Sequence, residues 1–250
     1  MFDWLAGTCA AGKPASVGFE VDTSAGRIDV AGVYLQQRLK AELIGPFLES
    51  LGEGERTASY HAVRARLAKG WPPSYVGLFP GRAGTPMRIG GYLRPRVKEE
   101  CSQDPAVLKS CFDKVGFTAY DGKMLSRCAE LMGIVPSVDF QFDIFPDGSL
   151  GDTFGLSLSF NEVLPREAHA CMESGCGARL MGLLEAWGLA DERWRLLADA
   201  AFAQHIGYER EDGSIGRVAL CVLFNFAKVK FVGGVAAPAK FYLTCAAEDL

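Results

Sequence analysis

The chain carries short runs in which apolar and polar residues alternate, separated by stretches where apolar residues return at helical spacing. Side chains on a strand point to opposite faces with period two, so each alternating run predicts a strand with one buried face. Residues 16–22 and 27–35 flank a turn at 24–26, and residues 74–79 and 87–93 flank a turn rich in Pro and Gly. Residues 137–144 and 152–160 flank Pro146-Asp147-Gly148, and residues 217–244 hold a fourth set of two strands or three. Alternation bounded by Gly, Asp and Pro is the signature of a β-hairpin. Helical spacing predicts a helix over 36–51, which Pro46 would bend or break, and a short mixed one over 57–69. Two helices are expected within 105–133, joined at Asp121-Gly122, and two within 177–202, joined around 188–191.

Hairpins alternating with helices disfavour a parallel, doubly wound sheet. The expectation is an α+β fold with helices packed outside an antiparallel β-barrel or a strongly curved sheet. Closing the sheet would remove its exposed edges. At 250 residues the chain is read as one domain, 1–250, with room for a substantial core.

Composition narrows the function. A net charge of −4 argues against a broad nucleic-acid surface. No apolar run approaches the roughly 20 residues that cross a bilayer, and the start, Met1-Phe-Asp-Trp, lacks the basic region of a secretory signal. A cytoplasmic protein is expected. The eight cysteines follow no disulfide framework and read as reduced thiols. His169, Cys171 and Cys176 do not match a zinc spacing and read as a loop before a helix.

The polar faces of the strands carry the chemistry. In Phe226-Ala-Lys-Val-Lys-Phe231, Lys228 and Lys230 share one side; on the returning strand Lys240 and Tyr242 share a side. Earlier strands add Glu20, Arg27, Arg88 and Tyr92, and the third hairpin adds Asp139, Gln141, Asp143, Ser157 and Ser159. One such face alone is an ordinary solvated surface. Four together predict a lined cavity whose cations suit a multiply charged anion such as a diphosphate. Tyr34, Tyr92 or Tyr242 would donate to phosphate oxygens or shield a cationic carbon. The sequence has no phosphate-binding Gly-rich loop and no Gly-x-Ser-x-Gly elbow.

Strand pairs with Lys-x-Tyr inner faces, or inner faces that set Arg close before Tyr, separated by helices, resemble the ABBA (PT-barrel) aromatic prenyltransferases. The nearest in character is the peptide-modifying branch of cyanobactin-type natural product biosynthesis. The resemblance implies a ten-stranded barrel holding an allylic diphosphate; here eight or nine strands are countable. It implies Glu20 as the acid that orients or deprotonates the acceptor, and Arg27, Arg88, Lys228, Lys230, Lys240 and Tyr242 as the diphosphate rungs. Tyr34 and Tyr92 would shield the prenyl cation. Asp139 and Asp143 stand where a cation would be expected. Asp139, Asp143, Asp147 and Asp152 offer hard oxygens to Mg2+, although Asp147-Gly148 reads more simply as a turn. The partners implied are a prenyl diphosphate and an aromatic or peptide acceptor. The competing readings are a non-catalytic barrel that binds a peptide or anion, and an accessory protein whose basic faces are merely solvated.

Overall fold

Strong alternation does produce strands, and all of them join one antiparallel sheet. The computed structural model describes residues 1–10, 16–20, 32–36, 41–79, 84–163 and 165–249. Three antiparallel pairs come first: β1 (Ser16–Glu20) with β2 (Gly32–Gln36), β3 (Tyr75–Leu78) with β4 (Met87–Tyr92), and β5 (Ser137–Ile144) with β6 (Leu150–Val163). Then follow β7 (Phe202–Glu209), β8 (Ile215–Val232), β9 (Val235–Ala236) and β10 (Lys240–Asp249). The path runs β1-β2-β3-β4-β5-β6-β8-β10, with β7 and β9 paired to β8. Among the described residues β1 and β10 do not pair, so this path is an open sheet.

Nine α-helices are described: α1 (Phe2–Ala10), α2 (Ala41–Ser50), α3 (Thr57–Arg66), α4 (Pro95–Gln103), α5 (Pro105–Val115), α6 (Gly122–Ile134), α7 (Pro165–Glu173), α8 (Cys176–Ala186) and α9 (Leu197–Ala200). Pro46 lies within α2 without ending it, because Leu43, Ile44, Phe47 and Leu48 are buried around it. The junction expected at Asp121-Gly122 is a cap: Asp121 accepts from the Met124 amide at 2.7 Å, while Gly116, with φ 86°, closes α5. Three helices were not anticipated, α1, α4 and α7. Cys171 therefore lies within α7 and Cys176 opens α8, where a loop was expected.

The apolar strand positions fall on one face in register. Leu35, Val76, Ile89, Phe142, Phe154 and Phe231 form one row across six strands. All six are buried. Trp71 packs against this layer, with ring centroids 4.9 Å from Phe140 and 6.1 Å from Phe142, and Phe112 of α5 lies 4.7 Å from Phe154. Burial of this face under the helices supplies the main driving force for the fold. The other face of the sheet is left for polar groups.

The last strands depart from expectation most. Residue 202 was expected to end a helix, but Phe202 opens β7, which pairs with the first half of β8. β10 flanks the opposite edge of that same half. Every residue of β7 is exposed, and β7, the first half of β8 and the part of β10 paired with it form a three-stranded wing, touched by α7.

Candidate functional site

A cleft of about 580 Å³ lies on the polar face of the sheet. Its wall includes Phe19 of β1, Tyr34 of β2, Tyr75 of β3, Arg88 and Tyr92 of β4 and Asp139 of β5. Ser157 and Ser159 of β6, Phe226 and Lys228 of β8 and Tyr242 of β10 complete most of the rest. In a flat sheet the seven steps from β1 to β10 would span about 34 Å at about 4.8 Å per strand. Both ends nevertheless line one cleft, so the sheet is curved around it.

Glycines let the aromatic rings lie across this floor. Gly77 stands opposite Tyr34, and Gly90 opposite Tyr75. A Cβ at Gly77 would overlap the Tyr34 ring, and one at Gly90 would overlap the Tyr75 hydroxyl and approach the Phe140 carbonyl oxygen to 2.6 Å. Each missing side chain is thus replaced by its neighbour's ring. Tyr242 stacks on Phe226 with centroids 4.4 Å apart and 19° between planes.

Arg88 is the best-anchored cation. It is only 8% exposed, its Nε donates to Asp143 Oδ1 at 3.1 Å and its Nη1 donates to the Tyr34 hydroxyl at 2.8 Å. Its guanidinium also lies 4.7 Å from the Phe79 ring centroid. Burial raises the Asp143 carboxyl above its ordinary range, against the pull of Arg88, Lys230 and Lys228.

Asp139 has a different environment. Its neighbours across the strands are Tyr92 and Ser157, and Ser157 stands opposite Lys228. Burial pushes its carboxyl up to about 7, with Lys228 pulling the other way. In turn the Asp139 charge, ahead of burial, raises the Tyr92 phenol; burial, then Asp139, raises Tyr75.

The expected site residues are partly brought together. Arg88, Lys228, Tyr34, Tyr92 and Tyr242 all line the cleft, Tyr92 being 55% exposed. Lys230 shares the Lys228 face and sits opposite Gly155, while the exposed Lys240 sits opposite Lys228 just outside the wall. The backbone register pairs Glu20 with Gly32; the Glu20 side chain and the whole of Arg27 lie outside the described residues. Of the four aspartates considered for magnesium, Asp143 holds Arg88 and Asp147 accepts from the Ser149 amide and hydroxyl in the turn. Among the described residues no group of three or more His, Cys, Asp or Glu is placed to hold a metal.

Tyr75 and Phe226 were missed by sequence reading. Both followed from period two: Tyr75 precedes Gly77 on the Tyr34 face, and Phe226 precedes Lys228. No family model, curated protein or solved structure matches the chain. Among the described residues no helix is long and apolar enough to cross a membrane.

Proposed function

We propose that the cleft transfers an allylic prenyl group from a diphosphate donor to an aromatic or peptide side chain. The observation carrying this reading is the placement of Lys228 within a wall of Tyr34, Tyr75, Tyr92, Phe226 and Tyr242. Lys230 and Lys240 extend the same cationic face. Ammonium groups fixed before reaction stabilise the leaving diphosphate as its charge develops. Aromatic faces stabilise an allylic cation and keep water from it. In this reading the curved sheet acts as the barrel of a PT-barrel enzyme, and Arg88, pinned by Asp143, orients Tyr34 more than it binds phosphate.

The test is direct. The protein is incubated with dimethylallyl or geranyl diphosphate and a panel of tyrosine- and tryptophan-containing peptides, and products are read by mass spectrometry. The reading expects a mass gain of one prenyl group and release of diphosphate, both reduced at least tenfold by Lys228→Ala. A protein that neither binds the diphosphates nor forms product would overturn it.

Binding without turnover would instead support the non-catalytic alternative, which the pairing of Arg88 with Asp143 favours by consuming one cation.

A further inference from the structure

Strand β7 is a sheet edge with no guard on it. Among the described residues it pairs with β8 alone, in a register that runs without a bulge from Phe202 to Glu209. All eight residues are exposed, and none is Lys or Pro. Natural sheets blunt their edges with short strands, bulges, Pro or charge, because an open row of N–H and C=O groups pairs with any strand that reaches it. The other outer strands show such devices. β1 has only five residues; β10 carries Lys240 at its start, Glu248 and Asp249 at its end, and a register shift between Tyr242 and Leu243.

The turn after β7 fixes which of its main-chain groups are free. The Arg210 amide donates to the Ser214 carbonyl at 2.8 Å, and the Arg210 carbonyl accepts from the Gly213 amide at 2.9 Å. Position 210 therefore turns its main chain toward β8, and the even positions before it do the same. His205, Gly207 and Glu209 turn theirs outward. Their side chains share one face of the wing, while Phe202, Ile206 and Tyr208 lie on the other, opposite Val222, Val218 and Gly216 of β8.

We propose that β7 pairs antiparallel with β7 of a second copy of this chain, about a two-fold axis at Gly207, joining the two wings edge to edge. In this register Gly207 meets its own counterpart, and His205 of each copy meets Glu209 of the other. An imidazole thus faces a carboxylate twice across the axis. On the opposite face Ile206 meets Tyr208, also twice, an aromatic against a β-branched side chain. Three hydrogen-bonded residue pairs supply about six main-chain hydrogen bonds. An axis at Ile206 would set Glu209 opposite Ala203, and one at His205 would bring two imidazoles together. The Gly207 axis also stops the second copy's turn, residues 211–213, at positions 201–203, short of α9. Pairing of a strand with itself about a two-fold axis is closed, so assembly ends at two chains. No residue of β7 lines the cleft, so the pairing is independent of the transfer reading.

A ladder this short is small beside the roughly 800 Å² that each partner buries in a standard interface, so the midpoint is expected at about 10–100 µM. Sedimentation equilibrium of the full chain at concentrations bracketing that range should carry the mass from 27.0 kDa to twice that value. His205→Glu and Glu209→Lys, with folding checked by thermal melts, should each weaken association about tenfold. Combined, they restore facing opposite charges and should return it to within about threefold of wild type. Directly opposed residues of a hydrogen-bonded pair have Cα atoms about 5.5 Å apart, within disulfide reach. An added Cβ at Gly207 meets nothing nearer than Ile215 Cγ2 at 4.0 Å. Gly207→Cys should therefore cross-link to its counterpart under copper phenanthroline, and Ile206→Cys should not. Peptide mass spectrometry separates this link from any through the exposed Cys9 and Cys245. A mass of 27.0 kDa throughout would overturn the proposal, as would growth past two chains or a dimer that neither charge reversal weakens. Cross-linking through Ile206→Cys in preference to Gly207→Cys would overturn it as well.

Discussion

Arg88 shows how a single residue can serve the fold and the site at once. Its guanidinium and the Asp143 carboxylate are both largely buried, so each is held in place by the other. Removing one partner from a buried pair leaves an uncompensated charge and costs about 3–5 kcal/mol, whereas replacing both can be close to neutral. Arg88→Met should therefore lower the urea midpoint sharply, and adding Asp143→Leu should restore most of it. Asp139 predicts a second effect. A carboxyl near 4 in the unfolded chain and about 7 when folded binds more protons in the native state between those values. Its contribution to stability is fully present below pH 4 and is lost as pH rises through about 7. Melting temperatures measured across that window should fall with pH more steeply in wild type than in Asp139→Asn.

At the scale of elements, glycines decide how closely segments approach. A Cβ at Gly91 would meet only backbone, including the Ser74 amide nitrogen at 2.7 Å and Pro73 Cα at 2.9 Å. Nothing there can rotate away. Gly91→Ala should lower the melting temperature more than Gly77→Ala, where the obstacle is the Tyr34 ring. Gly182, exposed within α8 with open space around it, is the opposite case. Gly182→Ala should stabilise by about 0.5–1 kcal/mol in the same denaturation series.

Elements were legible where alternation and a turn signal coincided. β5 and β6 flank Asp147-Gly148-Ser149, with Gly148 at φ 79° and its amide donating to the Phe145 carbonyl at 2.9 Å. The β7–β8 turn repeats that chemistry: Asp212 accepts from the Ser214 amide, and Gly213 sits at φ 80°. Asp-Gly-Ser occurring twice was the signal for β7, obscured because Phe202 closes a stretch with helical apolar spacing. Helix α4 gave less to read, since Cys101 is its one fully buried residue and little apolar periodicity marks it. Asp139 was visible as a polar strand position, but the lack of a hydrogen-bond partner for its Oδ1 among the described residues depends on neighbours distant in sequence and could not be.

The whole molecule divides into a covered sheet and an uncovered one. From β2 to β6 the apolar face lies under helices, while the wing exposes Phe202 (42%), Ile206, Tyr208 and Leu243. Local stability follows buried contact, so opening should be easiest in the wing. In native-state hydrogen exchange, ladder amides of residues 202–209 should exchange at least a hundredfold faster than those of residues 138–144. Similar protection in the two segments would refute the division.

β8 belongs to both parts. Its 18 residues, about 60 Å if fully extended, run from the tip of the wing to Lys228 and Lys230 without a break in the strand. The first half is a handle and the second half carries the ammonium pair. Anything that grips or bends the handle therefore has a direct mechanical purchase on the cations, with the irregularities opposite Tyr242 and Leu243 on one side and between Ser159 and Val163 on the other to absorb the movement.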